Sequence, residues 1–187
     1  MEHCIDDELP YDIPDSWQWC RIGSVLSVNP RNYIPDDMEV GFMPMPLLSD
    51  GFSNQHTYEV RRWKEVKSGF SHIKNDDVIV AKITPCFQNR KSAVVAGLPN
   101  GYGAGTTELH VLRDYTHSLY MPYILLLCKT NDFIVGGVAN FTGTAGQQRV
   151  GKDYVSDYPL PLPPYAEQIR IVRAANSIIA ATTHING

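Results

Sequence analysis

The sequence predicts a strand-rich body completed by a few helices, and three observations carry that prediction. Thirteen prolines and fourteen glycines in 187 residues punctuate the chain too often for a helical bundle. Asp77 to Ile83 is a β-branched run that follows the Lys74-Asn75-Asp76 turn and stops before Pro85, as a strand does. Strong helix signals are confined to the second half, at Tyr120 to Lys129 and Tyr165 to Ala181. The length suits one domain, or a domain with a small satellite. At 43% hydrophobic the chain can bury a substantial core.

In chain order, Leu9 to Trp19 is a turn-rich lead-in with Trp17 and Trp19 as aromatic anchors. Ile22 to Val28 is an apolar segment, helix or strand, ended by Asn29-Pro30. Gly41 to Leu48 alternates large apolar residues with Pro44 and Pro46, which predicts an irregular edge strand. Ser49 to Asn54 reads as a turn or loop. Ser92 to Ala96 and Thr107 to Leu112 predict two further strands. Pro122 sits in the opening turn of the Leu-rich helix at Tyr120 to Lys129. Phe133 to Ala139 is a short helix or strand, and Phe141 to Val150 a loop or exposed strand. Pro159 to Pro164 must be extended, because proline inside a helix lacks the amide donor and clashes with the preceding turn.

Charge is unevenly distributed. Residues 1–60 hold two basic and eleven acidic residues, whereas residues 61–113 hold nine basic and four acidic. A polyanion responds to the local field, so the net charge of −4 does not exclude nucleic acid. No window approaches the ~18 consecutive apolar residues of a membrane span. The acidic N-terminus lacks the pattern of a signal peptide, so a cytoplasmic protein with no membrane partner is expected.

Several suggestive patterns fail on their chemistry. Cys4, Cys20, Cys86 and Cys128 include no C-x-x-C pair and read as reduced structural thiols. The six histidines (3, 56, 72, 110, 117 and 184) lack i,i+4 pairs, so no metal and no cofactor are expected. Gly101 to Gly105 imitates a phosphate loop, yet a strand follows it where a helix is needed, so a hairpin turn is predicted. Leu162-Pro163-Pro164-Tyr165 resembles the amine-gripping motif of amino-methyltransferases, but Leu162 has no acceptor for the amine proton. Glu65-Val66-Lys67 with Asp50 lacks the strand pattern of a metal-dependent nuclease.

Two segments remain. Ala81 to Lys91 runs a strand into a loop carrying Thr84, Gln88, Asn89, Arg90 and Lys91 around Phe87. Asn140 to Val150 combines glycines and small residues with Thr142, Thr144, Gln147, Gln148 and Arg149. Amides pair bidentately with adenine, guanidinium with guanine, and threonine offers a hydroxyl and a methyl. Neither segment holds a carboxylate to act as a general base, which favours recognition over catalysis.

Those segments carry a resemblance. Ile13 to Gly23, Asp77 to Phe87, Thr142 to Val150 and Pro161 to Gln168, in that order, resemble a target recognition domain of a type I restriction-modification specificity subunit. The resemblance implies an α+β fold, with a mostly β part, an α+β part and a following helix. It implies a non-catalytic reader of one half of a split double-stranded DNA target. It also implies a methyltransferase (modification) subunit as partner and a restriction subunit reached through the complex.

Residues 1–164 would form the recognition domain and 165–187 the start of a truncated spacer helix. On that helix Ile169, Val172, Asn176 and Ile179 follow heptad spacing and would face a partner. Lys82, Arg90, Lys91 and Arg149 are expected at phosphate or guanine. Thr84, Gln88, Asn89, Thr142, Thr144, Gln147 and Gln148 are expected as base readers or loop stabilisers, the resemblance favouring a structural role for the threonines and Gln147. Ser53 to Thr57 and Tyr102 to Thr107 are further candidates for base reading. Two rivals stand beside this reading: a protein-interaction module working through the C-terminal helix, and a stand-alone nuclease or methyltransferase.

Overall fold

A computed structural model of the chain describes residues 9–185. The lead-in enters strand β1 (Gln18–Arg21), followed by helix α1 (Ile22–Val25) and strand β2 (Ser27–Val28). Strands β3 (Glu39–Met43) and β4 (Glu59–Arg62), helix α2 (Trp63–Val66) and strand β5 (Ser71–Lys74) come next. Strands β6 (Val78–Ala81), β7 (Ser92–Val94), β8 (Tyr102–Gly105) and β9 (Leu109–Arg113) complete the β-rich part. Helices α3 (Met121–Cys128) and α4 (Asn131–Ala139) precede a hairpin of β10 (Phe141–Thr142) and β11 (Arg149–Val150). Helix α5 (Lys152–Asp157), strand β12 (Pro159–Leu162) and helix α6 (Tyr165–Ile185) end the described chain. The fold is α+β.

One four-stranded sheet has the order β2-β9-β6-β7 and is antiparallel throughout; the other has the order β4-β3-β8-β5 with one parallel pair, β3 and β8. Strand β6 is buried on both faces, which is why its sequence reads as an unbroken apolar run. Val78 and Val80 join the core under the helices, where Ile124, Phe133 and Leu160 pack. Ile79 and Ala81 face the other sheet, with Met43, Ile73 and Leu109. The molecule is therefore layered as helices, sheet and sheet, with Trp63 and Val66 of α2 packing on Val40 and Ala104 beyond.

Two expectations are corrected. Strand β3 lies between β4 and β8, so it is interior rather than an edge. Pro44 and Pro46 fall after it, Pro44 capping and Pro46 inside a 3₁₀ turn at Met45–Leu47, where a missing amide costs no ladder bond. The glycine run is a strand, β8, and the turn sits just before it, where Asn100 and Gly101 take φ of +52° and +77°. The glycines serve close approach. A Cβ on Gly103 would lie 2.4 Å from the carbonyl oxygen of Gly41, its parallel neighbour. Strand β4 went unpredicted because all four of its residues are exposed, leaving no alternation to read.

A buried polar network joins the sheets. Arg113 donates to both oxygens of Asp77 at 2.8 and 2.7 Å, with the side chains 3% and 0% exposed. Its third bond reaches Asn32 Oδ1, and Asn32 donates from its amide side chain to the Ile73 carbonyl and from its backbone to His72 Nδ1. His72 Nε2 therefore carries the proton toward the Lys67 carbonyl. Burial holds this imidazole below the usual histidine pKa.

The proline segment is extended, as β12, and pairs antiparallel with β1. Trp17 Nε1 donates to Glu167 at 3.1 Å, and buried Gln168 accepts from the Tyr120 amide and donates to the Pro163 carbonyl. Helix α6 is thus clamped to the body through its first turn. Among the described residues no helix is long and apolar enough to cross a membrane.

Candidate nucleic-acid interface

Phe87 organises the candidate site. It is fully buried, with its ring 5.9 Å from that of Phe133 and 5.6 Å from that of Phe141. A Cβ on Gly137 would come within 2.3 Å of it, so helix α4 needs glycine there to admit the ring. The chain from Ile83 to Lys91 wraps this plug through backbone bonds from Phe87 to Ile83, Asn89 to Pro85 and Lys91 to Cys86. The Thr84–Pro85 peptide is cis.

Phe141 on the same plug roots the β10–β11 hairpin, which brings the two donor-rich segments together. The Thr84 amide donates to the Gln148 carbonyl at 3.0 Å, its hydroxyl reaches the same oxygen at 3.4 Å, and Ile83 bridges Arg149. The Val150 amide bonds the Lys82 carbonyl. Thr142, Gly143, Thr144, Ala145, Gly146 and Gln147 are exposed, as are Gln88 and Asn89, while Thr84 and Gln148 are half-buried. Gly143 and Gly146 take φ of +108° and +81°, the left-handed region that the tight hairpin tip requires.

The cations divide by partner. Arg149 grips Glu108 with two bonds of 2.9 and 2.8 Å and donates to the Gln147 carbonyl, its side chain still 38% exposed. That guanidinium holds the Glu108 carboxyl below its ordinary pKa. Arg90 donates to the Lys129 carbonyl and to Asn131, and Lys91 donates to the Leu48 carbonyl with Asp50 3.7 Å away. Lys82 is half-buried near Glu108, and among the described residues its ammonium has no ion-pair partner. Three of the four expected cations therefore shape the loops, and Lys82 alone keeps its ammonium uncommitted.

Sequence reasoning did not single out Lys129. It is 1% exposed, and its ammonium donates to the carbonyls of Gly51 and Arg90, tying the loop over residues 49–55 to the loop around Phe87. Burial pushes its pKa down to about 8. Its only sequence signal was its place at the end of a helix, where a lysine is unremarkable. Glu108 was also missed, since its partner lies 41 residues away.

The partner stripe on α6 divides as well. Val172 is 5% exposed and belongs to the core under the helices, so it serves the body of the molecule; Ile169 and Ile179 are half-buried and Asn176 is exposed. Ile178, outside the stripe, is exposed. Burial raises the thiols of Cys20 and Cys128 to about 11 and about 12, which leaves them inert as nucleophiles; Cys4 lies outside the described residues. Among the described residues no group of three or more His, Cys, Asp or Glu could hold a metal ion.

No family model matches the chain. Over 168 residues, 89% of its length, it is 43% identical to the type I restriction enzyme EcoAI specificity subunit of Escherichia coli. It is 42% identical over the same length to the EcoEI specificity subunit of that organism. The chain is a relative of type I specificity subunits. It spans 28% of the length of each of these two relatives, matching one portion of a specificity subunit. The fold agrees: the HsdS subunit from Thermoanaerobacter tengcongensis superposes with a TM-score of 0.74 at 21% identity, over 95% of this chain and 46% of that one. A chain from a structure concerned with complex assembly and conformational transition of the type I R-M system gives 0.73 at 22% identity, over 95% and 45%. The α+β body ending in a helix is thus shared with specificity subunits.

Proposed function

We propose that the chain reads one half of a split double-stranded DNA target, as the recognition portion of a type I specificity subunit, and catalyses no reaction itself. The observation that carries this reading is the joining of two exposed, amide-bearing loops through Thr84 and Gln148 in a relative of specificity subunits. Lys82 is the cation best placed for phosphate. Gln88, Asn89, Thr142, Thr144 and Gln147 are the exposed polar side chains available to bases. Arg90, Lys91, Arg149, Thr84 and Gln148 act mainly by holding the loops, with the outer edge of Arg149 still open to DNA.

Residues 1–164 would be the recognition domain and residues 165–187 the start of a spacer helix. A methyltransferase subunit would dock on the outer side of that helix, and a restriction subunit would join through the complex, in the cytoplasm. The test is selection of bound duplexes from a random pool by the 187-residue chain at two salt concentrations. A short contiguous motif is expected, with affinity falling as salt rises because phosphate contacts release counterions. Absence of any enriched motif would overturn the proposal, as would product formed with Mg²⁺ and S-adenosylmethionine.

A further inference from the structure

Resting on that reading, we infer that the loop over residues 49–55 reads an A·T base pair in the major groove, with Asn54 and Gln55 as hydrogen-bonding readers and Phe52 as the apolar contact. Phe52 is 42% exposed, and Ser53, Asn54 and Gln55 are exposed beside it. Among the described residues neither the Asn54 nor the Gln55 side-chain amide has an internal partner. Amides of this kind pair bidentately with adenine, and an aromatic ring packs on the thymine methyl. The two chemistries sit within four residues, and both select A·T over G·C.

The loop is held mainly by its backbone, while the side-chain amides of Asn54 and Gln55 stay unengaged among the described residues. The Ser49 amide bonds the Gln55 carbonyl at 3.0 Å, and Leu48 bridges His56 across the neck. The Gly51 amide donates to the Asn89 carbonyl at 2.8 Å, and the Gly51 carbonyl accepts from buried Lys129. Lys91 grips the Leu48 carbonyl at 2.7 Å, and the Arg90 guanidinium lies 5.7 Å from the centre of the Phe52 ring. Asn54 takes a left-handed φ of +57°, and the returning chain, with Ala96 and Gly97, walls an open groove of about 660 Å³. The tip is thus a pre-ordered rim of that groove, and pre-ordering lowers the entropy cost of binding. Cations that looked like DNA contacts by residue type are the groups that hold this rim beside Asn89.

Duplex selection with the wild-type chain, the Asn54→Ala/Gln55→Ala variant and the Phe52→Ala variant tests the inference. The preference for A·T at one position, or at two adjacent ones, should fall roughly five- to 150-fold in the double variant. The same position should lose its thymine preference in Phe52→Ala, with the salt dependence of both unchanged. An unaltered motif would overturn the inference and leave DNA recognition standing. So would an equal loss on all sequences, which would mark contacts to the sugar-phosphate backbone. No specific binding by the wild type would overturn the proposed function itself. Should the double variant fail to fold, Gln55→Ala gives the same readout, because that side chain carries none of the internal bonds of the loop.

Discussion

Asp77 and Arg113 show how much a single residue can matter in this chain. Both are buried, and each satisfies the other along with Asn32 and the Lys74 amide. Removing one partner leaves an uncompensated buried charge, so Arg113→Met should cost about 3–5 kcal/mol. Replacing both by apolar residues of similar size should recover much of that loss, as read from urea denaturation. A fully additive double variant would show that the two do not act as a pair. Pairing of this kind also shows what residue types alone conceal. Arg90 and Arg149 carry the donors expected of DNA contacts, yet their partners, Lys129 and Glu108, lie 39 and 41 residues away. No local spacing announces such a bond.

Elements were legible where burial imposed a pattern. The β6 run was readable because it is buried throughout, α3 and the start of α6 because an apolar face meets the core, and β12 because its prolines cannot be helical. Strand β8 was misread because its glycines look like turn residues, while their use is the 2.4 Å approach that a Cβ on Gly103 would make to Gly41. Gly103→Ala should therefore drive the parallel pair apart and lower the unfolding temperature sharply. Gly146→Ala, where a Cβ meets nothing within 4 Å but φ is +81°, should cost only the ~1 kcal/mol scale of left-handed strain. Equal melting temperatures for the two variants would show that the close approach carries no weight. The candidate site was half legible. Both donor-rich loops could be picked out, but their union around Phe87 depends on β6, α4 and β11 meeting in space.

Across the whole molecule, the acidic first third and the basic middle third partly neutralise one another on folding. Asp36 pairs with Lys67, Asp50 with Lys91 and Glu59 with Arg61. What looked like a basic region is thus partly a set of surface pairs, each worth little to stability. Titration gives a molecule-wide prediction. Burial lowers the pKa of His72 and His110, whereas in the unfolded chain both titrate near the ordinary value of about 6.5. Below that value the unfolded chain takes up protons that the folded one refuses, so stability falls as pH is lowered from 7.5 toward 5.5. The denaturation midpoint should drop across this range, and less steeply in His110→Gln; a flat midpoint would contradict the assignment. His110 Nε2 donates to the Val150 carbonyl in either protonation state, so acid takes away instead the bond that Nδ1 accepts from the Asn29 side-chain amide.

The pairing of β1 with β12 sets Gln18 opposite Leu162, so the lead-in enters the body beside the point from which α6 starts. Strands in register stand only about 5 Å apart. A body whose two doorways adjoin can be lifted out and set into another polypeptide as a cassette, without stretching either junction. The same adjacency allows its ends to be joined by a short linker and the chain reopened elsewhere.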